Sequence, residues 1–154
     1  MTTIFVLLSL VCFCADFIIK SIAESCLVLH RPVPLIDGVV NLTLVHNTGA
    51  AFGMFRGMVW FLVAVTVVFL GVLIHRLRSR PMSRFDLIVV SMIAGGALSN
   101  LYDRVFRGYV VDYIDLGWWP VFNLSDSFIT IGCTLYIIKT LMREKHEAVG
   151  SSSS

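Results

Sequence analysis

The chain has 154 residues, of which 57% are hydrophobic and only 14% are charged, and its formal net charge is +2. Soluble domains carry about 25% charged residues, so this composition excludes an ordinary soluble globule and a disordered chain. The small, scattered charge also excludes a nucleic-acid-binding protein, and we expect the partners of this chain in a membrane.

Four apolar blocks are each close to the roughly 20 residues that a helix needs to cross the hydrocarbon core. They predict four transmembrane helices, over residues 4–19, 58–74, 85–102 and 124–142. No Lys or Arg precedes the first block and no A-x-A-like site follows it, so we expect a retained helix rather than a cleaved signal peptide. Four spans place both termini on one side of the membrane.

Between the first two helices, the segment 21–56 contains Pro32, Pro34, an Asp37-Gly38 turn signal and a strand-like run over 39–45. This pattern predicts a small β-sheet outside the bilayer. The run from Gly49 to Phe55 combines glycines with apolar side chains, which indicates a short interfacial helix that either forms a mobile flap or a fixed wall.

Basic residues mark the side of the membrane. Arginines crowd the turn between the second and third helices, and further cations follow near the end of the fourth: Arg76, Arg78, Arg80, Arg84, Lys139, Arg143 and Lys145. The positive-inside rule makes this side cytoplasmic, together with both termini. Residues 1–145 thus form one membrane domain, and residues 146–154, ending in Gly-Ser-rich sequence, are expected to be a flexible tail.

Metal and nucleophile signatures are missing from the sequence. The cysteines form no CxxC pair, the histidines form no HExxH motif, and there is no G-x-S-x-G motif, so we expect neither a metal nor a cofactor. The small residues at Gly95 to Ala97 are more typical of tight helix packing than of phosphate binding.

Polar residues near the helix ends collect instead on the outer half of the predicted bundle: Asp16, Lys20, Asn47, Asn100, Asp103, Arg104, Asp112, Asn123 and Asp126. Ionisable groups at the lip of a membrane usually face the protein interior and mark a functional site. Of these, Asp112 and Asp126 are the candidate catalytic acids. Two carboxylates brought together at low dielectric share one proton and can act as acid and base.

Each acid also has a structural interpretation. Asp126 lies in the predicted first turn of the fourth helix, where an acid is favoured by the helix dipole and Asn123 or Ser125 would be the N-cap. Asp112 lies in a β-branched and aromatic run, and an ion pair with Arg104 or Arg107 would account for it. Two other functions stay open, a small proton-coupled transporter using the same carboxylates and a non-enzymatic assembly factor.

Three blocks of sequence carry a family resemblance: HNTGAAFG at 46–53, GGALSNLYDR at 95–104 followed by GYVVDY at 108–113, and FNLSD at 122–126. In their order and spacing they closely resemble the signature blocks of bacterial lipoprotein signal peptidase, also called signal peptidase II. The resemblance extends over the chain to about residue 145. Small residues depart from the usual family pattern at two positions, with Ser99 in place of Gly and Ser125 in place of Ala.

The resemblance implies an inner-membrane aspartic endopeptidase with four helices, an outward β-sheet cradle and no cofactor. Its substrates would be prolipoproteins, cleaved on the amino side of a cysteine that carries diacylglycerol, and its inhibitors cyclic lipopeptides of the globomycin type, which makes it an antibiotic target. The catalytic residues of the family fall on Asp112 and Asp126. Its substrate-binding or supporting residues fall on Asp16, Lys20, Asn47, Gly49, Asn100, Arg104 and Asn123.

Overall fold

The computed structural model describes residues 2–50, 54–79 and 81–151. Its helices are α1 (Thr2–Cys26), α2 (Val59–Ser79), α3 (Arg84–Phe106) and α4 (Leu124–Ser151), and its strands are β1 (Val33–Ile36), β2 (Val40–Asn47) and β3 (Val110–Asp115). The described residues contain 4 helices long and apolar enough to cross a membrane. The predicted fold class, a mainly helical membrane protein with a small sheet, is confirmed.

Helix α3 is the central helix of the bundle. Within its most apolar window 61% of the residues are buried, compared with 17% for α1 and 11% for α2 and α4. It packs against α1, α2 and α4, whereas those three helices expose many large apolar side chains. Such exposure is expected of helix faces that are covered by lipid.

Glycines let the neighbouring backbones approach α3 closely. A Cβ at Gly95 would lie 2.5 Å from the carbonyl oxygen of Ser9 on α1, and a Cβ at Gly96 would lie 2.6 Å from the carbonyl oxygen of Ser125 on α4. The prediction that these small residues serve helix packing is therefore confirmed. Their close contacts bring the polar residues of three helices within hydrogen-bonding range.

The helices extend beyond their predicted ends. Helix α1 continues from the predicted end at residue 19 to Cys26, because Lys20 is buried and pairs with Asp16 one turn earlier instead of ending the helix in water. Helix α4 reaches Ser151, into the segment predicted as a tail, through residues of high helix propensity such as Glu, Lys and Ala. Residues 152–154 lie outside the described part of the chain.

The sheet is antiparallel, with β2 between β1 and β3. The predicted Asp37-Gly38 turn connects β1 to β2, and Gly38 has a positive φ of 71°, which glycine adopts at little cost. Strand β3 is the β-branched run that contains Asp112. In the pairing of β2 with β3, Asp112 lies opposite Val45. This pairing places Asn47, at the end of β2, beside the same region of β3.

The predicted interfacial helix falls partly on residues 51–53, which lie outside the described residues. On either side of them, the amide of Ala50 donates to the carbonyl of Met54 at 2.8 Å and the amide of Gly57 donates to that of Thr48 at 3.2 Å. The described residues that follow, 54–57, form a turn rather than a helix. These bonds connect residues 54–57 to the residues that directly follow β2.

The close approach at Gly95 predicts that Gly95→Ala destabilises the protein by about 1–3 kcal/mol, since the new methyl group would press on the backbone of α1. Unfolding in detergent measures the change. Gly71→Ala is the matched control, because nothing lies within 4 Å of a Cβ at that helical position. A loss of stability as large in Gly71→Ala would contradict the packing argument.

Candidate functional site

Asp112 lies in β3 with only 1% of its surface exposed. Both of its carboxylate oxygens accept hydrogen bonds from asparagine side chains. Asn47 Nδ2 donates to Oδ2 at 2.9 Å, and Asn123 Nδ2 donates to Oδ1 at 2.8 Å. These bonds, rather than an ion pair with Arg104 or Arg107, hold the carboxyl group.

Asp126 lies in the first turn of α4 and caps it reciprocally with Asn123. Asn123 Oδ1 accepts a hydrogen bond from the Asp126 amide at 2.9 Å, and Asp126 Oδ2 accepts one from the Asn123 amide at 3.3 Å, the arrangement of a capping box. Asn100 Nδ2 also donates to Asp126 Oδ1 at 2.8 Å. The expected capping role is therefore present, and it places Asp126 at the same site as Asp112.

Asn123 joins the two acids, because its side-chain NH2 bonds to Asp112 and its backbone and side-chain oxygen bond to Asp126. It is fully buried, as is Lys20 beneath it. The structure thus brings together the two carboxyl groups predicted as catalytic.

A buried ion pair network supports the acids from below. Lys20 Nζ lies 2.8 Å from Asp16 Oδ2 and 2.8 Å from Asp103 Oδ2, and it donates to Asn100 Oδ1 at 2.8 Å. Three acceptors match the three N–H bonds of the ammonium group. A buried charge needs such compensation, since losing one partner leaves an uncompensated ion.

The two positions that depart from the family pattern both meet Asp16. Ser99 Oγ donates to Asp16 Oδ2 at 2.6 Å, and the amide of Ser125 donates to Asp16 Oδ1 at 2.9 Å. A glycine at position 99 could not make the first of these bonds. The hydroxyl of Ser125 is buried and makes no hydrogen bond within the described part of the chain.

Arg104 faces the acids from α3. Its Nη2 donates to the carbonyl oxygen of Gly49 at 3.4 Å, and its charge acts on Asp103, Asp112 and Asp126. All of the predicted supporting residues therefore belong to one connected region of the described structure. The connection of Arg104 to Asp112 runs through Gly49 and Asn47, since the Gly49 amide donates to Asn47 Oδ1 and Asn47 Nδ2 donates to Asp112.

Sequence reasoning did not assign a supporting role to Asp103, which accepts from Lys20 and from the amide of Val111 at 3.2 Å. It also pairs with Arg107, four residues later, whose other partner is Glu24 on α1. The Asp103–Arg107 spacing was a sequence signal for an ion pair on one helix face. Glu24 had no such local signal, because its partners are distant in sequence.

Burial is the main cause that raises the pKa of Asp112, from an ordinary value of 3.8 to about 7, and the charge of Asp126 adds to it. The hydrogen bonds from Asn47 and Asn123 and the charge of Lys20 act in the opposite direction. A carboxyl group with such a pKa exchanges a proton readily near neutral pH. Two carboxyl groups held near each other are an arrangement that can serve as an acid and a base towards water.

Comparison with known proteins gives consistent similarities. The family model described as signal peptidase (SPase) II matches residues 8–142. A lipoprotein signal peptidase of Syntrophomonas wolfei is 47% identical over 114 residues, covering 73% of this chain and 76% of the relative. Another of Shouchella clausii is 35% identical over 143 residues, covering 92% of this chain and 95% of the relative.

Two solved structures are similar in fold. One, described as a bacterial membrane enzyme determined by the in meso method at 2.3 Å resolution, has a TM-score of 0.88 and 30% identity, and the match covers 92% of this chain and 90% of the other. A second, with the same description at 1.9 Å resolution, has a TM-score of 0.81 and 31% identity. This match covers 89% of this chain and 92% of the other. The similarity therefore includes the helices and the sheet.

The raised pKa of Asp112 predicts a pH-dependent cost to stability. Well below pH 3.8 the carboxyl group is protonated in both the folded and the unfolded state. As pH rises from there towards 7 the unfolded state ionises while the folded state stays protonated, so stability falls by up to a few kcal/mol. Asp112→Asn removes this cost. The melting temperature of the variant minus that of the original protein should therefore be larger at pH 8 than at pH 4. If this difference did not change with pH, the burial argument would be contradicted.

Proposed function

This chain belongs to the signal peptidase II family, and we propose that it cleaves prolipoproteins with Asp112 and Asp126 as its catalytic dyad. The single observation that carries the dyad is that the buried carboxyl group of Asp112 and the half-buried carboxyl group of Asp126 are joined through Asn123. The substrate is a diacylglyceryl-modified prolipoprotein, cut on the amino side of the lipid-bearing cysteine. The reaction is hydrolysis by an activated water molecule.

In the proposed mechanism the two acids share one proton. The ionised carboxylate takes a proton from water while the resulting hydroxide bonds to the scissile carbonyl carbon, and the protonated acid gives its proton to the carbonyl oxygen. The tetrahedral intermediate then breaks the C–N bond as the leaving nitrogen is protonated. No acyl-enzyme forms, and the mechanism needs no metal or cofactor.

The neighbouring residues have matching roles in this proposal. Asn47, Asn100 and Asn123 hold the carboxyl groups through neutral hydrogen bonds, so they orient the dyad without adding charge. Arg104 is placed to hold the substrate backbone or to brace the acids. Asp16 and Lys20 keep α1 against the site.

Clustering of the acids favours a peptidase over a proton-coupled transporter. A proton path needs ionisable groups spread through the membrane depth. Here Asp16, Asp103, Asp112 and Asp126 belong to one hydrogen-bonded network, connected through Lys20, Asn100 and Asn123. A single reaction centre accounts for that arrangement better than a relay.

The charge distribution supports a topology for the proposed enzyme. Arg76 and Arg78 lie in the last turn of α2, at the opposite end of the bundle from β3. By the positive-inside rule that end is cytoplasmic, which puts the dyad at the outer face of the inner membrane and both termini in the cytoplasm. An exported precursor reaches the dyad on that side.

The dyad predicts that Asp112→Asn and Asp126→Asn each reduce cleavage of a diacylglyceryl prolipoprotein in detergent by several orders of magnitude, because each acid is needed in every proton-transfer cycle. Mass spectrometry detects the released signal peptide. A globomycin-type cyclic lipopeptide should block the original enzyme in the same assay.

Asp115→Asn is the matched control for these variants. Asp115 lies on the same strand, but its oxygens accept from Thr43 Oγ1 at 2.7 Å and from the Gly117 amide at 2.8 Å rather than facing the dyad. It should retain most of the activity. Substantial cleavage by either dyad variant would refute the proposed catalytic residues.

The proposed topology predicts the labelling of cysteines by a membrane-impermeant thiol reagent. Native Cys26 is exposed at the end of α1 nearest the sheet, so it should react in sealed cells. A Ser79→Cys variant in a Cys26→Ser background places its thiol at the arginine-rich end of α2, and it should react only after permeabilisation. The reverse pattern would place the dyad on the cytoplasmic side.

A further inference from the structure

Three asparagines contact the dyad, and a neighbour that can only donate fixes the amide orientation of each. An asparagine side chain accepts through its oxygen and donates through its NH2 group. The Lys20 ammonium has no acceptor, so the Asn100 atom that it meets at 2.8 Å is Oδ1. The NH2 group of Asn100 therefore faces Asp126 Oδ1, at 2.8 Å.

The same reasoning fixes the other two amides. The Gly49 backbone N–H meets Asn47 at 2.9 Å, and the Asp126 backbone N–H meets Asn123 at 2.9 Å, so both contacts are to Oδ1. Turning either amide over would bring two donors together and leave both without an acceptor, which is unfavourable. The NH2 groups of Asn47 and Asn123 must therefore face Asp112.

These orientations make the two acids unequal. Each oxygen of Asp112 accepts a side-chain N–H within 2.9 Å. Asp126 has one such donor on Oδ1, and its Oδ2 receives only the 3.3 Å contact from the Asn123 amide, a long distance for a hydrogen bond. Hydrogen bonds to a carboxylate favour its charged form. The shorter bonds therefore favour charge on Asp112, and Asp126 Oδ2, which accepts only the long contact, is the oxygen that holds a proton.

We propose that Asp126 carries the shared proton on Oδ2 and starts as the general acid, that Asp112 starts as the general base, and that the three asparagines are the positioning residues that set this order. This inference rests on the proposed dyad and adds the direction of proton transfer. The inference rests on the contacts with groups that can only donate, because these contacts fix the orientation of each asparagine amide.

The proton transfers balance with this assignment. Asp112 takes a proton from water as the hydroxide oxygen bonds to the carbonyl carbon, and Asp126 gives its proton to the carbonyl oxygen. In the second half, Asp112 returns its proton to the leaving nitrogen as the C–N bond breaks, and Asp126 recovers a proton from a hydroxyl of the intermediate. The products are a carboxylic acid and an amine, and the dyad returns to its starting state.

Other charged and titratable groups lie around the pair on α1, α3 and β3. Asp16 and Lys20 come from α1, Asp103 and Arg104 come from α3, and Tyr113 comes from β3. None of the first four contributes a hydrogen to Asp112 or Asp126 directly among the described contacts; the asparagines stand between. Removing one asparagine at a time therefore tests the proposal without changing the charge.

The test is the pH dependence of kcat/KM for a diacylglyceryl prolipoprotein, whose acidic limb reports the base and whose alkaline limb reports the acid. Asn47→Ala removes a donor from Asp112 and should move the acidic limb up by about one pH unit. Asn100→Ala removes a donor from Asp126 and should move the alkaline limb up by a similar amount. Asn41→Ala, six residues earlier on β2, is the matched control and should move neither limb.

The assignment would be overturned if Asn47→Ala moved the alkaline limb of the pH profile and Asn100→Ala moved the acidic limb. It would also be overturned if neither variant moved either limb. A titration independent of turnover keeps the proposal testable if a variant fails to fold. In the original protein labelled with [4-¹³C]aspartate, the signals are assigned by their loss in Asp112→Asn and Asp126→Asn. Asp112 should titrate at the lower midpoint and Asp126 at the higher, and the opposite order would refute the proposal.

The two proposals fail in different ways. If the protein does not cleave prolipoproteins, or if a dyad variant retains activity, the proposed function is wrong whatever the order of titration. If both dyad variants are inactive but the carboxyl signals titrate in the opposite order, the proposed function stands and the assignment of acid and base is wrong.

Discussion

The buried ammonium group of Lys20 is the constraint on which the polar half of this structure depends. An unpaired charge in a bundle covered by lipid is costly, so three acceptors must converge on one nitrogen. Asp16 comes from the same helix, while Asn100 and Asp103 come from α3. Asp103 continues to the backbone of β3 and Asp16 to the first turn of α4. One ion thereby fixes three helices and the sheet relative to one another.

Close helix packing makes this convergence possible. Asp, Asn and Ser have short side chains, and they meet across helices only where the backbones approach closely. Gly95 and Gly96 provide that approach to α1 and α4 respectively. Apolar packing and the polar network are therefore two consequences of the same helix spacing.

The proposed active site uses ordinary structural devices for a second purpose. Asn123 and Asp126 begin α4 as a capping pair, yet the same two residues connect the helix to Asp112. Such a device places a carboxyl group with the precision of backbone hydrogen bonds. Because these hydrogen bonds hold Asp126 in place, the dyad needs little reorganisation during the proposed proton transfers.

The sequence by itself determined the four spans, the small sheet and the set of polar residues at one end, because hydropathy, turn signals and family motifs are local patterns. It left open whether Asp126 only caps α4 or is also connected to Asp112, and whether Asp112 pairs with an arginine. Tertiary structure decided both, since the contacts join residues as distant as Asp16 and Ser125, 109 positions apart. It also decided the continuation of α1 through Lys20 and the pairing of β3, because burial and register arise only when separate segments pack together.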